Sequence, residues 1–266
     1  VGKQDFLDAV DRIIGGLEKK TKITTEAERR SIALHEAGHA SISWLLEYAN
    51  PLIKVTIVPR GRALGAAWYL PEERQITTKE QMLDEMCATL GGRAAEDLFL
   101  NRISTGAMND LERVTKQAYG MIAYLGMSDK LPNLCYYNNE EYSFNRPYSE
   151  KTAELIDTEV KNMVNEQYER AKKILSEHRE GHNQLAQLLI DKEVIFAEDV
   201  ERIFGKRPWA SRSEEIMAAK ESQEAAEAEK RLAEEVKEKE KEIKEEEAEN
   251  STEEKEATEE IGRAHV

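Results

Sequence analysis

Beyond Trp209 the chain runs out of the apolar residues from which a core is built, and that boundary limits the fold more than any single motif. Residues 211–260 hold 20 Asp and Glu against 9 Lys and Arg, whereas residues 1–210 hold 33 against 28. The formal net charge of −15 therefore belongs mostly to a tail. Leu232, Val236 and Ile243 make only a thin stripe there, so residues 209–260 are expected to be solvated helix or disorder, an acidic low-complexity tail. Residues 261–266 fit neither segment and read as a cloning scar or read-through artefact. Any core must come from residues before the tail. A net-acidic chain without a Lys/Arg cluster is a poor match for phosphate, so no nucleic-acid partner is expected. No apolar run approaches the ~20 residues of a membrane span, and the opening residues carry no signal-peptide pattern. Cys87 and Cys135 are too few for a disulfide framework, and each is expected as a small buried apolar residue.

Helical periodicity dominates the rest. Residues 5–17 place Phe6, Ala9, Val10, Ile13 and Ile14 on one face before Gly15-Gly16 ends the pattern. Thr25-x-x-Glu28 is a capping box, opening a helix to about Glu47 with Ile32, His35, His39, Ile42 and Leu46 on one stripe. Residues 53–58 (IKVTIV) are β-branched and predict a strand; residues 65–70 predict a second, short strand suited to an edge. Thr77-x-x-Glu80 predicts a cap for a helix over 79–99, with Met82, Met86, Leu90 and Ala94 inward. Its internal Gly91-Gly92 implies close packing against a neighbour. Further helices are predicted over 107–125, 149–176, 182–190 and 198–204, with a loop over 127–147 and Gly126 as a C′ residue. The fold class expected is mainly α with a small β-sheet.

Residues 35–39 read His-Glu-Ala-Gly-His. Four residues span a little over one helical turn, so His35 and His39 project from one face and can reach one metal ion. Glu36 points about 100° away, close to the ion without having to bind it. This is the H-E-x-x-H arrangement, two zinc ligands and a carboxylate placed to act on water. Gly38 lets another backbone approach that face. A catalytic zinc needs a third protein ligand, and spacing leaves Glu96, Asp97, Asp110 and Glu112 as candidates. His178 and His182 are also four apart, but Glu180 sits two positions after the first and Gly181 weakens the helix. They read as a solvated helix end. A di-iron carboxylate site would want paired Glu-x-x-His motifs, and none is convincing.

HEAGH, KVTIVPRG, GAAWYLPEE, TLGGRAAEDLF, STGAMNDLERVTKQAY and YLGMSDKLP follow one another in this chain. In that order they resemble the peptidase domain of the FtsH family, over about residues 1–208. The resemblance implies a zinc metallopeptidase domain over 20–208, preceded at 1–19 by the end of an AAA+ lid. It implies zinc held by His35, His39 and Asp110, with Glu36 as catalytic base and Glu96 as a nearby structural carboxylate. It implies that residues 65–70 pair with the substrate backbone, and that unfolded proteins are the substrates. It also implies a homo-hexamer, with a membrane-anchored segment and an ATPase binding ATP and Mg²⁺ upstream of Val1. The chain has no G-x-x-x-x-G-K-[ST], so those nucleotide ligands are not expected on it. The site implied for the whole protein is the cytoplasmic side of a bacterial inner membrane, an organellar inner membrane being the lesser expectation, with this portion itself soluble. The alternative is a catalytically silent pseudo-peptidase serving as an assembly or chaperone module, against which the presence of all four site residues counts.

Overall fold

The computed structural model describes residues 25–59, 64–69, 75–136, 147–210, 215–225, 227–228 and 231. The expected lid helix over 5–17, residues 232–260 of the tail and residues 261–266 lie outside them. Residues up to Trp209 form one compact unit, and a second begins at Ala210, in which residues 215–225 are helical and exposed. No helix among the described residues is long and apolar enough to cross a membrane.

Helix α1 (Glu26–Leu45) is the centre of the first unit. Its capping box forms as expected: Glu28 N–H donates to Thr25 Oγ1 at 3.2 Å, and Thr25 N–H donates to Glu28 Oε2 at 2.8 Å. Two orphan donors of the first turn are thereby satisfied. The stripe expected on α1 is wider than a stripe. Every residue from Ala33 to Trp44 is buried, because other elements cover several of the helix's faces. On one side stand strand β1 (Leu52–Thr56) and its neighbours, and β1 pairs antiparallel with β2 (Ala66–Tyr69) in register Val55↔Ala67. The sheet order is β2-β1-β5, so β2 is an edge, as its short pattern implied. β5 (Val194–Phe196), paired antiparallel with β1, was not legible in the sequence, since three residues cannot show an alternation. Leu34, Ala37, Val55, Leu185, Leu189 and Ile195 close the core between α1, this sheet and a later helix.

Helix α2 (Lys79–Thr89) starts where expected, but its cap is one residue later than Thr77. Thr78 is the cap, accepting from Gln81 N–H at 3.4 Å while Gln81 Oε1 accepts from Thr78 N–H at 2.9 Å. The predicted continuous helix over 79–99 is broken near the glycines: α3 (Gly91–Ala95) follows and widens into a π-turn over Glu96–Leu100. Gly38 and Gly91 cross backbone to backbone. A Cβ on Gly38 would lie 2.4 Å from Gly91 O, and one on Gly91 would lie 2.7 Å from Gly38 O. Only glycine on both sides allows that approach.

A 3₁₀ turn (Thr105–Ala107) leads into α4 (Met108–Tyr119), which ends in a second π-turn, Gly120–Tyr124. Gly126 follows with φ +60°. The region expected as a loop starts instead with a small hairpin, β3 (Met127–Ser128) and β4 (Leu131–Pro132). Then come α5 (Glu150–Glu177), α6 (Arg179–Lys192) and α7 (Ala197–Phe204). α6 begins three residues earlier than predicted and carries Gly181 within it. Cys87 is buried, as expected, and burial pushes its thiol up to about 12; Cys135 is exposed, contrary to expectation.

Candidate metal centre

His35 and His39 stand on one face of α1 with Nε2 atoms 3.0 Å apart. Asp110, in the first turn of α4, brings Oδ2 to 3.3 Å from His35 Nε2 and 3.5 Å from His39 Nε2. A tetrahedral zinc ion with bonds of ~2.05 Å would set its ligands on the order of 3.3 Å apart. The three observed separations bracket that figure. His35, His39 and Asp110 form a His₂-carboxylate donor set, which fits zinc.

Hydrogen bonding on the far side of each ring fixes which nitrogen faces the centre. His39 Nδ1 lies 3.0 Å from Ala88 O, which can only accept, so Nδ1 carries the proton and Nε2 is bare. His35 Nδ1 lies 2.9 Å from Glu96 Oε1. Glu96 is buried, which would raise it, but hydrogen bonds from His35 and Ser104 lower it overall, so it is an ionised acceptor. His35 therefore also turns a bare Nε2 inward. Two lone pairs 3.0 Å apart cannot bond each other, and positive charge is needed between them. In the bare protein a proton supplies it. Burial would lower His35, but its hydrogen bonds to Asp110 and Glu96 and the charges of Glu36 and Asp110 push it up to about 10. Asp110 is held far below the usual carboxylate range: its burial opposes ionisation, and the two imidazoles overcome it.

Glu36 is buried on the adjacent face of α1, and burial raises its carboxyl pKa against the opposing charges of His39 and His35. Its carboxylate touches Gly65, at the mouth of β2, where a Cβ would lie 2.7 Å from Oε1. The centre opens into a cleft of about 980 Å³ lined along the same face by Ser31, His35, His39 and Ser43, and flanked by the β2 edge.

Residues 22–203 match the model of peptidase family M41. The chain belongs to that family. It is 71% identical, over 83% of its length, to the ATP-dependent zinc metalloprotease FtsH of Parabacteroides distasonis. It is 50% identical over 77% of its length to the mitochondrial ATP-dependent zinc metalloprotease FTSH 10 of Arabidopsis thaliana. To the mouse mitochondrial inner membrane m-AAA protease component AFG3L2 it is 43% identical over 80%. The chain spans 33%, 25% and 27% of the length of those three relatives.

Of the carboxylates weighed as third ligand in this M41 chain, the structure brings only Asp110 to the Nε2 side. Glu96 serves the opposite edge of the His35 ring. It is fixed there by Ser104, whose N–H donates to Oε2 at 2.8 Å and whose hydroxyl donates to Oε1 at 2.9 Å. Asp97 points to α5, accepting from Tyr168 Oη and Lys172 Nζ at 2.9 Å each. Glu112 is exposed and paired with Lys116. The reading of His178 and His182 as a solvated helix end is corrected for His182. It is fully buried, stacked on Phe99 at 4.1 Å, and donates from Nε2 to Leu34 O at 3.0 Å.

Three positions support the site in ways that the sequence did not specify. Ala88 acts through its backbone carbonyl, which no pattern marks. Ser104 was legible only as a helix start; it also accepts from Gly106 N–H at 3.1 Å, linking the start of the Asp110 helix to the carboxylate behind His35. Gly92 leaves room for the His35 ring, since a Cβ there would lie 2.4 Å from Nε2.

Proposed function

We propose that this chain is the zinc-dependent endopeptidase portion of a larger ATP-dependent protease. His35, His39 and Asp110 hold the ion, and Glu36 is the catalytic base. The observation that carries the reading is the convergence of two imidazole Nε2 atoms and one carboxylate oxygen at tetrahedral spacing. A bound zinc ion would polarise the scissile carbonyl and bring the pKa of a water molecule down towards ~7. Glu36 takes that water's proton as its oxygen attacks the carbonyl carbon, holds it in the buried carboxyl, and returns it to the leaving amide nitrogen. The raised Glu36 pKa suits a carboxylate that must hold a proton during the cycle. Glu96 and the Ala88 carbonyl orient the His35 and His39 rings from behind.

The edge of β2 offers backbone donors and acceptors to an extended peptide. Pairing through the main chain accounts for acceptance of unrelated unfolded sequences. The relatives' names speak of ATP-dependent proteolysis, and one of an inner membrane. The proposal extends this to a whole protein with ATP and Mg²⁺ bound outside this chain, a membrane anchor, a homo-hexameric assembly and a place on the cytoplasmic face of a bacterial inner membrane. Glu36→Gln should keep zinc and lose casein hydrolysis; hydrolysis by that variant would overturn the base assignment. Asp110→Asn should empty the site further than Glu96→Gln, and the reverse order of zinc content would overturn the ligand assignment.

A further inference from the structure

During hydrolysis the carbonyl π pair moves onto oxygen, and that oxygen becomes anionic beside the carboxylates of Glu36 and Asp110. A second donor of positive charge next to the metal would favour this moment over the bound substrate. The cationic side chains lining the described cleft are Arg102 and Arg113. Arg102 is exposed in the turn after the Glu96 π-turn. Arg113 is placed differently. It lies three residues after Asp110 on α4, so the two side chains share a face one turn apart. Its guanidinium pairs through Nη2 with Glu85 of α2. Glu85 in turn lies three residues before Ala88, the residue whose carbonyl holds His39. The Arg113–Glu85 pair therefore bridges the two helices that fix the centre, one turn out from each fixing residue, and it lines the same cleft.

We propose that Arg113 is a further catalytic residue, donating a hydrogen bond to the substrate carbonyl oxygen as that oxygen takes on negative charge; this rests on the peptidase reading above. A guanidinium offers five N–H donors in a planar fork, and Glu85 engages Nη2. The side chain is 60% exposed, so a substrate can replace water on the other donors. The charge extends across the cleft, where it opposes the burial that raises the Tyr69 hydroxyl beside Ser43. The step is balanced by what is already present. Water oxygen bonds the carbonyl carbon, Glu36 takes one water proton, and the π pair rests on the oxygen facing Arg113. The pair then returns, the C–N bond breaks, and the proton passes to nitrogen.

The test compares Arg113→Ala and Arg113→Lys with wild type in the zinc-loaded protein. Arg113→Ala should lower kcat about 100-fold with KM and zinc content unchanged, and Arg113→Lys should recover at least tenfold of that loss. A readout independent of turnover uses the Glu36→Gln background and isothermal titration. Adding Arg113→Ala should weaken a phosphinic peptide, a tetrahedral anionic mimic, about 100-fold while leaving affinity for the uncleaved peptide unchanged. Glu85→Ala should cost less than tenfold in kcat. Equal kcat in Arg113→Ala and wild type, a loss confined to KM, or an equal loss from Glu85→Ala would overturn the proposal. A wild-type protein that binds zinc and phosphinic peptide but is matched by the Arg113 variants defeats this inference alone. A wild-type protein that does neither defeats the peptidase reading beneath it.

Discussion

Gly92→Ala should separate metal binding from folding. A Cβ at Gly92 would lie 2.4, 2.5 and 2.6 Å from His35 Nε2, Cε1 and Cδ2, against an ordinary contact of ~3.5 Å. The ring must therefore retreat by about 1 Å, whereas zinc–ligand distances tolerate about 0.2 Å. It cannot simply swing aside, because Nδ1 is tied to Glu96, and Glu96 is tied to Ser104 by two hydrogen bonds. Loss of even a supporting contact at a metal site costs about 10–100-fold in affinity. Displacing a ligand should cost at least ~100-fold. Stability of the metal-free protein should move little. Alanine gains ~1 kcal/mol in helix propensity over glycine, and crowding one flexible ring costs ~1–3 kcal/mol. The assay is zinc affinity by chelator competition, paired with thermal unfolding of the metal-free protein. Unchanged zinc affinity would refute the argument, since His35 would then have another place to go. A collapse in stability without zinc would show that Gly92 serves packing and not the ligand.

Two further outcomes follow from the same contacts. Gly65→Ala would place a Cβ 2.7 Å from Glu36 Oε1 and 2.9 Å from Thr56 O, so it should cut peptide hydrolysis about 100-fold while zinc content stays at the wild-type level; full activity would show that Glu36 is not held where it appears. Burial, only partly offset by the bond to Leu34 O, pulls His182 from 6.5 down to about 4, so the unfolded chain takes up the proton first. Its contribution is intact above pH 6.5 and drains as pH falls towards 4, by about 3 kcal/mol in all. His182→Leu should flatten that part of the urea-midpoint profile, and an unaltered slope would refute it.

What the sequence could state about the site was whatever a single helix carries. His35, Glu36 and His39 were legible because their relation is local: 3.6 residues per turn sets it without reference to the rest of the chain. Gly38 and Gly91-Gly92 were legible as a place of close approach for the same reason, since an unfavourable residue inside a helical pattern calls for an external cause. The proposed third ligand was not legible from spacing. Glu96 and Asp110 both lie against His35, 2.9 Å and 3.3 Å away, and differ only in which ring nitrogen they meet. Spacing along the chain cannot express that difference, and the choice of Asp110 came from the resemblance to the FtsH family.

His182 marks the opposite failure. Its neighbours in sequence are Gly181, Asn183 and Glu180, and they describe a polar helix end. Its neighbours in space are Phe99 and the Leu34 carbonyl, and they describe the back of the metal-binding helix. A polar residue that satisfies a core carbonyl looks from sequence like a surface residue, because the partner it serves has no side chain to announce it. The same holds at Ala88, whose carbonyl sets the His39 tautomer. Ala88 and His182 act through, or on, main-chain oxygens, so substitution scans confined to conspicuous side chains would pass over them.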